Sequence, residues 1–299
     1  MYKPMADIEV GERPDERMVV RQVPFDFGRE NGHWNSASPE MSHIVNSASL
    51  AMPYLEPYLI RTMRAARPLI KDETLQAELD LYIKQEATHY KQHRRFNDTL
   101  SAKGYTCVAE LESRLNKDYS QLESKRSLKF NLAYAEGFES MALALGEMLI
   151  EDRNELFKDA APSVTSLVLW HFVEEIEHKN VAYDVFDHLH GNYGWRMLGL
   201  LYATGHIFWR TGQGYRALLK EDRLWSNLSM RWRLAKLLVK LIGRTLPRWF
   251  RIWHPNYHPS QVEDPIWGRR WAAQFERDPA SLALLDTSRL QEDHPVLNT

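Results

Sequence analysis

The stretch WHFVEEIEHKNVAYDVF, residues 170–186, decides the fold. Extended to Val164 and Leu189, it places Val164, Val168, Ala182, Val185 and Leu189 at spacings of three and four. That spacing is one face of an α-helix. The middle of the same face holds His171, Glu175 and His178. A carboxylate on a core face is costly unless something pairs with it. The stripe therefore asks for a partner as well as for a bundle.

Three more stretches carry the same kind of stripe. QEATHYKQHRRFN, residues 85–97, belongs to the series Leu75, Leu79, Tyr82, Glu86, His89, His93, Phe96, Leu100. Asp72 is placed to cap this helix and Gly104 to end it. A third stripe reads Leu128, Leu132, Ala135, Glu139, Ala142, Gly146, Leu149. A fourth, earlier in the chain, reads Val45, Ser49, Met52, Glu56, Leu59, Met63, Ala66. Pro53 and Pro57 predict either a helix start near Pro53 or a kink there. The periodicity predicts helices over about 42–67, 72–104, 124–151 and 163–191, each roughly 40 Å long. Residues 105–123 read as a long crossover connection. The expected fold class is all-α: a four-helix bundle with additional C-terminal helices.

The chain divides accordingly. Residues 1–40 read as an extended arm with a short strand at 18–23, and 41–192 as a four-helix metal-binding bundle. Residues 193–254 read as basic, Trp-rich helices packing on the bundle, as its cover or as the wall of a substrate tunnel. Residues 255–299 read as a Pro-rich tail wrapping the surface.

The four stripes are interrupted by Glu56, by Glu86 and His89, by Glu139, and by Glu175 and His178. A Glu from each of two helices, plus Glu-x-x-His from the other two, is the ligand set of dinuclear carboxylate bundles. Side chains at i and i+3 share a face, and hard carboxylate oxygens suit iron or manganese. Four carboxylates balance two divalent cations. Solvated charges with a few buried salt bridges are the alternative, but no Lys or Arg lies on these stripes to pair with them. The helix phase favours Glu139 over Glu136 and Glu175 over Glu174. His171 is read either as a third nitrogen ligand or as a hydrogen-bonding support. His93, Tyr82, Glu136 and Glu174 are read as supporting or pocket residues.

Composition sets limits. The chain has 299 residues, 38 basic and 40 acidic, for a net charge of −2. That balance gives no reason to expect a nucleic-acid partner. It conceals 22 basic and 31 acidic residues before Trp195, net −9, and 16 basic and 9 acidic from Trp195 onward, net +7. Eight of the ten tryptophans also lie from Trp195 onward. The single cysteine, Cys107, excludes a disulfide framework or a Cys-based zinc site and makes the cytosol the expected compartment. No leader is read at the start, and no apolar run long enough to span a membrane. RWRLAKLLVKLIGRTLPRWFRIWH, residues 231–254, has seven cations and no acid. Its composition suits peripheral contact with an anionic membrane. The alternative is docking of its apolar face on the acidic bundle.

The stretches 170–186 and 85–97, with Pro53-x-x-Glu56, resemble bacterial proteins described as predicted metal-dependent hydrolases, which are similar to the ferritin-like di-iron superfamily. The resemblance covers about residues 15–260. Where that family has a Glu-His pair on its third helix, this chain has Glu139-Ser140, which keeps the Glu and lacks the His. The family pattern includes a His at the position of His171. The whole set is also similar to that of di-iron arylamine N-oxygenases, which carry an extra histidine ligand there. The resemblance implies two Fe ions, with Mn or Zn as alternatives, held by Glu56, Glu86, His89, Glu139, His171, Glu175 and His178. Glu86 and Glu175 are the expected bridging carboxylates. The expected activity is O2-dependent oxidation of a small organic substrate, with an electron donor the sequence does not name. Metal-dependent hydrolysis is the alternative, and a non-catalytic metal-binding or membrane-associated protein the second. A homodimer is admitted as an expectation.

Overall fold

The computed structural model describes residues 18–28, 32–277 and 284–297. The fold is all-α, and its architecture is consistent with a ferritin-like bundle. Four long segments surround the core. They are α1 (Pro39–Ala66), α2 (Glu73–Ala102), α4 (Leu128–Glu151) and the α6–α7 pair (Pro162–Glu177 and Val181–Leu189). Between them lie α3 (Cys107–Lys125) and the short α5 (Arg153–Phe157). α1 packs on α2, α4 packs on α6 and α7, and α1 meets α4 across the core. α8 (Tyr193–Glu221) lies on α4 and α1, α9 (Leu228–Ile252) rests on the same two, and α10 (Ile266–Arg277) packs on α6 and α4.

The caps are local chemistry. Ser38, Asp72 and Ser127 each accept a backbone N–H of the turn they begin. α1 runs unbroken through Pro53 and Pro57 rather than starting at Pro53. Pro53 has no N–H for the carbonyl of Ser49, four residues back. The side-chain amide of Asn97 on α2 donates to that carbonyl instead, at 2.9 Å.

Three sequence expectations are corrected. Residues 107–125 form helix α3 rather than an open crossover, with Val108, Leu111, Leu115, Tyr119 and Leu122 buried along one face. The helix expected over 163–191 breaks at 178–180 into α6 and α7. The break lets Lys179 turn away to Asp264 and the Val262 carbonyl while His178 turns inward. The strand expected at 18–23 is an extended segment, and no strand is found among the described residues. Arg21, Val23, Phe25 and Phe27 face inward, while Gln22, Pro24 and Asp26 face out. The segment runs along α2, whose side chains take the place of a neighbouring strand. Gln85 donates to Val19 O, Gln92 to Val23 O and Arg95 to Phe25 O. The rest of the expected arm, residues 1–17, lies outside the described residues.

Candidate metal centre

α1, α2, α4 and α6 each deliver buried donors to the middle of the bundle, and His178 adds one from the turn after α6. Donor atoms of Glu86, Glu139, Glu175 and His178 lie within 4.8 Å of one another. Three further sets in the bundle core lie at the same mutual distance: Glu56, Glu86 and His89; His89, His171 and Glu175; and Glu56, His93 and His171. The sets overlap at Glu56, Glu86, His89, His171 and Glu175. His178 Nε2 is 3.2 Å from Glu175, 3.3 Å from Glu139 and 3.4 Å from Glu86. His89 Nδ1 is 3.6 Å from both Glu86 and Glu175. His171 Nε2 is 3.1 Å from Glu175.

Hydrogen bonds around this cluster fix which ring nitrogen each histidine turns inward. Gln85 donates its amide to Val19 O and Glu177 Oε2, so its carbonyl oxygen faces His178 Nδ1 at 3.1 Å. His178 Nδ1–H donates there, and Nε2 points at the carboxylates. His89 donates its Nε2–H to Glu174 at 2.9 Å and leaves Nδ1 inward. His171 is set through a longer chain. Asn97 is oriented by its bond to Ser49 O, and the Ser49 hydroxyl donates to Asn97 Oδ1 at 2.7 Å. Ser49 Oγ then accepts from His93 Nδ1 at 2.8 Å. His93 Nε2 is left to accept from His171 Nδ1 at 2.9 Å. His171 Nε2 is left facing the cluster. In each of the three imidazoles the far nitrogen is held by a hydrogen bond and the other nitrogen is turned inward, the arrangement that orients metal-binding histidines.

The carboxylates fit the same reading. Both oxygens of Glu56, both of Glu86, Oε2 of Glu139 and Nδ1 of His89 are buried without a hydrogen-bond partner. Buried polar atoms ordinarily have partners, and a cation held among these donors would supply one. Tyr82 donates to the other oxygen of Glu139 at 2.7 Å. The donor set of four carboxylates and three imidazoles suits Fe, Mn or Zn.

The electrostatics show what the cluster does without cations. Burial, then the neighbouring Glu86, pushes Glu56 well above the ordinary carboxylate range. Burial, then Glu175, raises Glu139 to about 8. Burial opposes charge on the imidazoles, but Glu174 and Glu86 outweigh it at His89, and Glu175 and Glu139 at His178. Both imidazoles lie well above their ordinary range. Burial would also raise Glu175, but His178 and His171 hold it well below the usual range. Protons stand in for the cations.

This fixes the sign of a pH effect. Groups whose folded pKa is raised keep protons that the unfolded chain has lost, so stability falls as pH rises through their window. Glu56, Glu139, His89 and His178 share that sign. The opposed shifts of Glu175 and His93 act near or below their ordinary pKa values, at lower pH. The metal-free protein should therefore melt lower at about pH 8.5 than at about pH 7. Saturating divalent metal should remove most of that difference. Thermal melts with and without chelator check it.

The remaining sequence-read residues fall around the cluster. Glu174 is bonded to His89, to Trp170 Nε1 at 2.9 Å and to the buried Arg21 at 3.2 Å. His93 contacts His171 at 2.9 Å and forms a donor set with it and Glu56. Glu136 is buried outside the donor sets, accepts from Ser140 Oγ at 3.0 Å and is raised by burial to about 7. Sequence reasoning missed Arg21, Gln85 and Asn97. Ser49 was visible as a polar residue on a core stripe. Gln85 and Arg21 lie off the helical stripes and carry no local signal.

A family model described as "Predicted metal-dependent hydrolase" matches residues 19–263. The chain belongs to that family. No curated protein and no solved structure gives a significant match.

Proposed function

We propose that the chain is a metalloenzyme with a dinuclear centre. Glu56, Glu86, His89, Glu139, His171, Glu175 and His178 would hold two ions, with Glu86 and Glu175 within reach of both. The observation that carries this is the convergence of three inward-facing imidazoles on buried carboxylate oxygens that lack any other partner. Bound divalent ions in such a set supply Lewis acidity and lower the pKa of water. That chemistry fits the family description, and hydrolysis of a small substrate is the first reading. The chain's own part is to hold the donors. Tyr82 keeps one Glu139 oxygen engaged and the other free. Glu174 and Gln85 hold the His89 and His178 rings, and the Ser49–His93 chain holds His171.

A second reading is O2-dependent oxidation of a small organic substrate on two iron ions, fed by an external electron donor. The observations that favour it are the excess of carboxylates over imidazoles, the third nitrogen from His171, and the burial of all seven donors. One paired assay separates the two. Protein loaded with Zn or Mn under anaerobic conditions is expected to cleave model esters or phosphoesters, and the activity should vanish on chelation. Absence of hydrolysis, with O2 uptake by the Fe(II)-loaded form, would overturn the first reading in favour of the second.

A further inference from the structure

α9 is an amphipathic helix seated with much of its charge inward. Of its seven cations, five are tied to acids of the bundle. Arg233 pairs with Glu40 at 2.6 Å, Arg244 with Asp152 at 2.8 Å and Arg251 with Glu147 at 2.5 Å. Lys240 pairs with Glu155, and Arg248 with Glu151. Acidic body and basic tail thus neutralise each other along this seam. An inner apolar row, including Leu237, Leu241 and Trp249, packs on the core. The helix keeps a second apolar row for the opposite side.

That row is Leu228, Trp232, Val239, Ile242, Leu246 and Phe250, all exposed. Their spacing follows one helical face. Val239 is 73% exposed and Trp232 64%. α8 leaves Leu201, Phe208 and Trp209 exposed as well. Apolar exposure on this scale marks an interaction surface. Two cations of α9 remain without an ion pair among the described residues. Arg231 lies 5.5 Å over the Trp225 ring and Lys236 5.4 Å over the Trp232 ring. Both are exposed beside the apolar row.

We propose that the outward face of α9 lies in the surface of an anionic bilayer. Trp232 and Phe250 would enter the headgroup boundary, and Arg231 and Lys236 would meet lipid phosphates. Aromatic side chains with flanking cations favour that depth. A second copy of the chain is the poorer occupant. Residues 228–252 contain no acid, so two such faces would bring like charges together. The contact is interfacial, since no helix among the described residues is long and apolar enough to cross a membrane.

The test is sedimentation of the full-length protein with phosphatidylcholine vesicles, with and without phosphatidylglycerol. The protein is expected to partition roughly tenfold or more in favour of the anionic vesicles. The double variant Val239→Glu/Ile242→Glu should lose binding by roughly tenfold or more. Its circular dichroism and melting temperature should match wild type, because both side chains already face solvent. Failure of wild type to bind anionic vesicles, or equal binding by the variant, overturns the proposal. So does a wild-type dimer that ignores vesicles and that the same double substitution dissolves; the face would then be a self-association surface.

Discussion

Replacing Glu175 by alanine should lower metal uptake and weaken the binding that remains. Its carboxylate belongs to two donor sets and lies within 3.6 Å of His89, His171 and His178. No other residue of the cluster touches all three imidazoles. Loss of an outer hydrogen-bond partner alone costs metal affinity roughly 10–100-fold. A shared carboxylate should cost more than the upper end of that range. Glu177 makes the informative control. It sits two residues away but bonds Arg21 and Gln85 rather than the donor cluster. Glu177→Gln should therefore bind both ions, with at most the smaller loss expected of an outer partner. Isothermal titration with Zn(II) and metal analysis after gel filtration read both variants.

The second large effect concerns packing. Gly199 on α8 and Gly137 on α4 lie where the two helices cross backbone to backbone. A Cβ built on Gly199 would stand 1.8 Å from the Ala133 carbonyl oxygen, and one on Gly137 2.3 Å from the Leu200 nitrogen. Backbone cannot rotate out of the way as a side chain can. Gly→Ala within a helix ordinarily gains about 1 kcal/mol. Here Gly199→Ala should instead cost about 3 kcal/mol, at the upper end of overpacking penalties, because α8 must lift off α4. Gly205→Ala on the same helix meets nothing within 4 Å and should show the ordinary gain. Urea unfolding of the two variants compares the signs directly. α4 carries Glu139, so displacement of α8 should also loosen the metal centre.

The same crossing shows what the sequence could and could not convey. The stripes located the four donor-bearing stretches, because burial of a carboxylate at a helical core position is visible in spacing alone. The phase argument chose Glu139 over Glu136, and the structure puts only Glu139 into a donor set. The stripe on 107–125 is equally regular, but a bundle of this order also allows a long connection there. The break at 178–180 has no Pro or Gly to announce it, and its apparent cause, the Lys179–Asp264 pair, spans 85 residues. Arg21 is likewise a long-range element. It closes the arm over Glu174 and Glu177 and lies 5.5 Å from the Trp271 ring of α10. The orientation of α9 was undecidable from its own residues. The helix has two apolar rows, and the acids that choose between them lie in other helices.

Metal stoichiometry is the decisive test of a dinuclear centre. The purified protein, stripped with chelator and titrated anaerobically with Fe(II), Mn(II) or Zn(II), should take up two ions per chain. That stoichiometry should fall in Glu175→Ala and in Glu86→Ala. No tight binding of any of the three metals, or uptake that both variants leave unchanged, would contradict it.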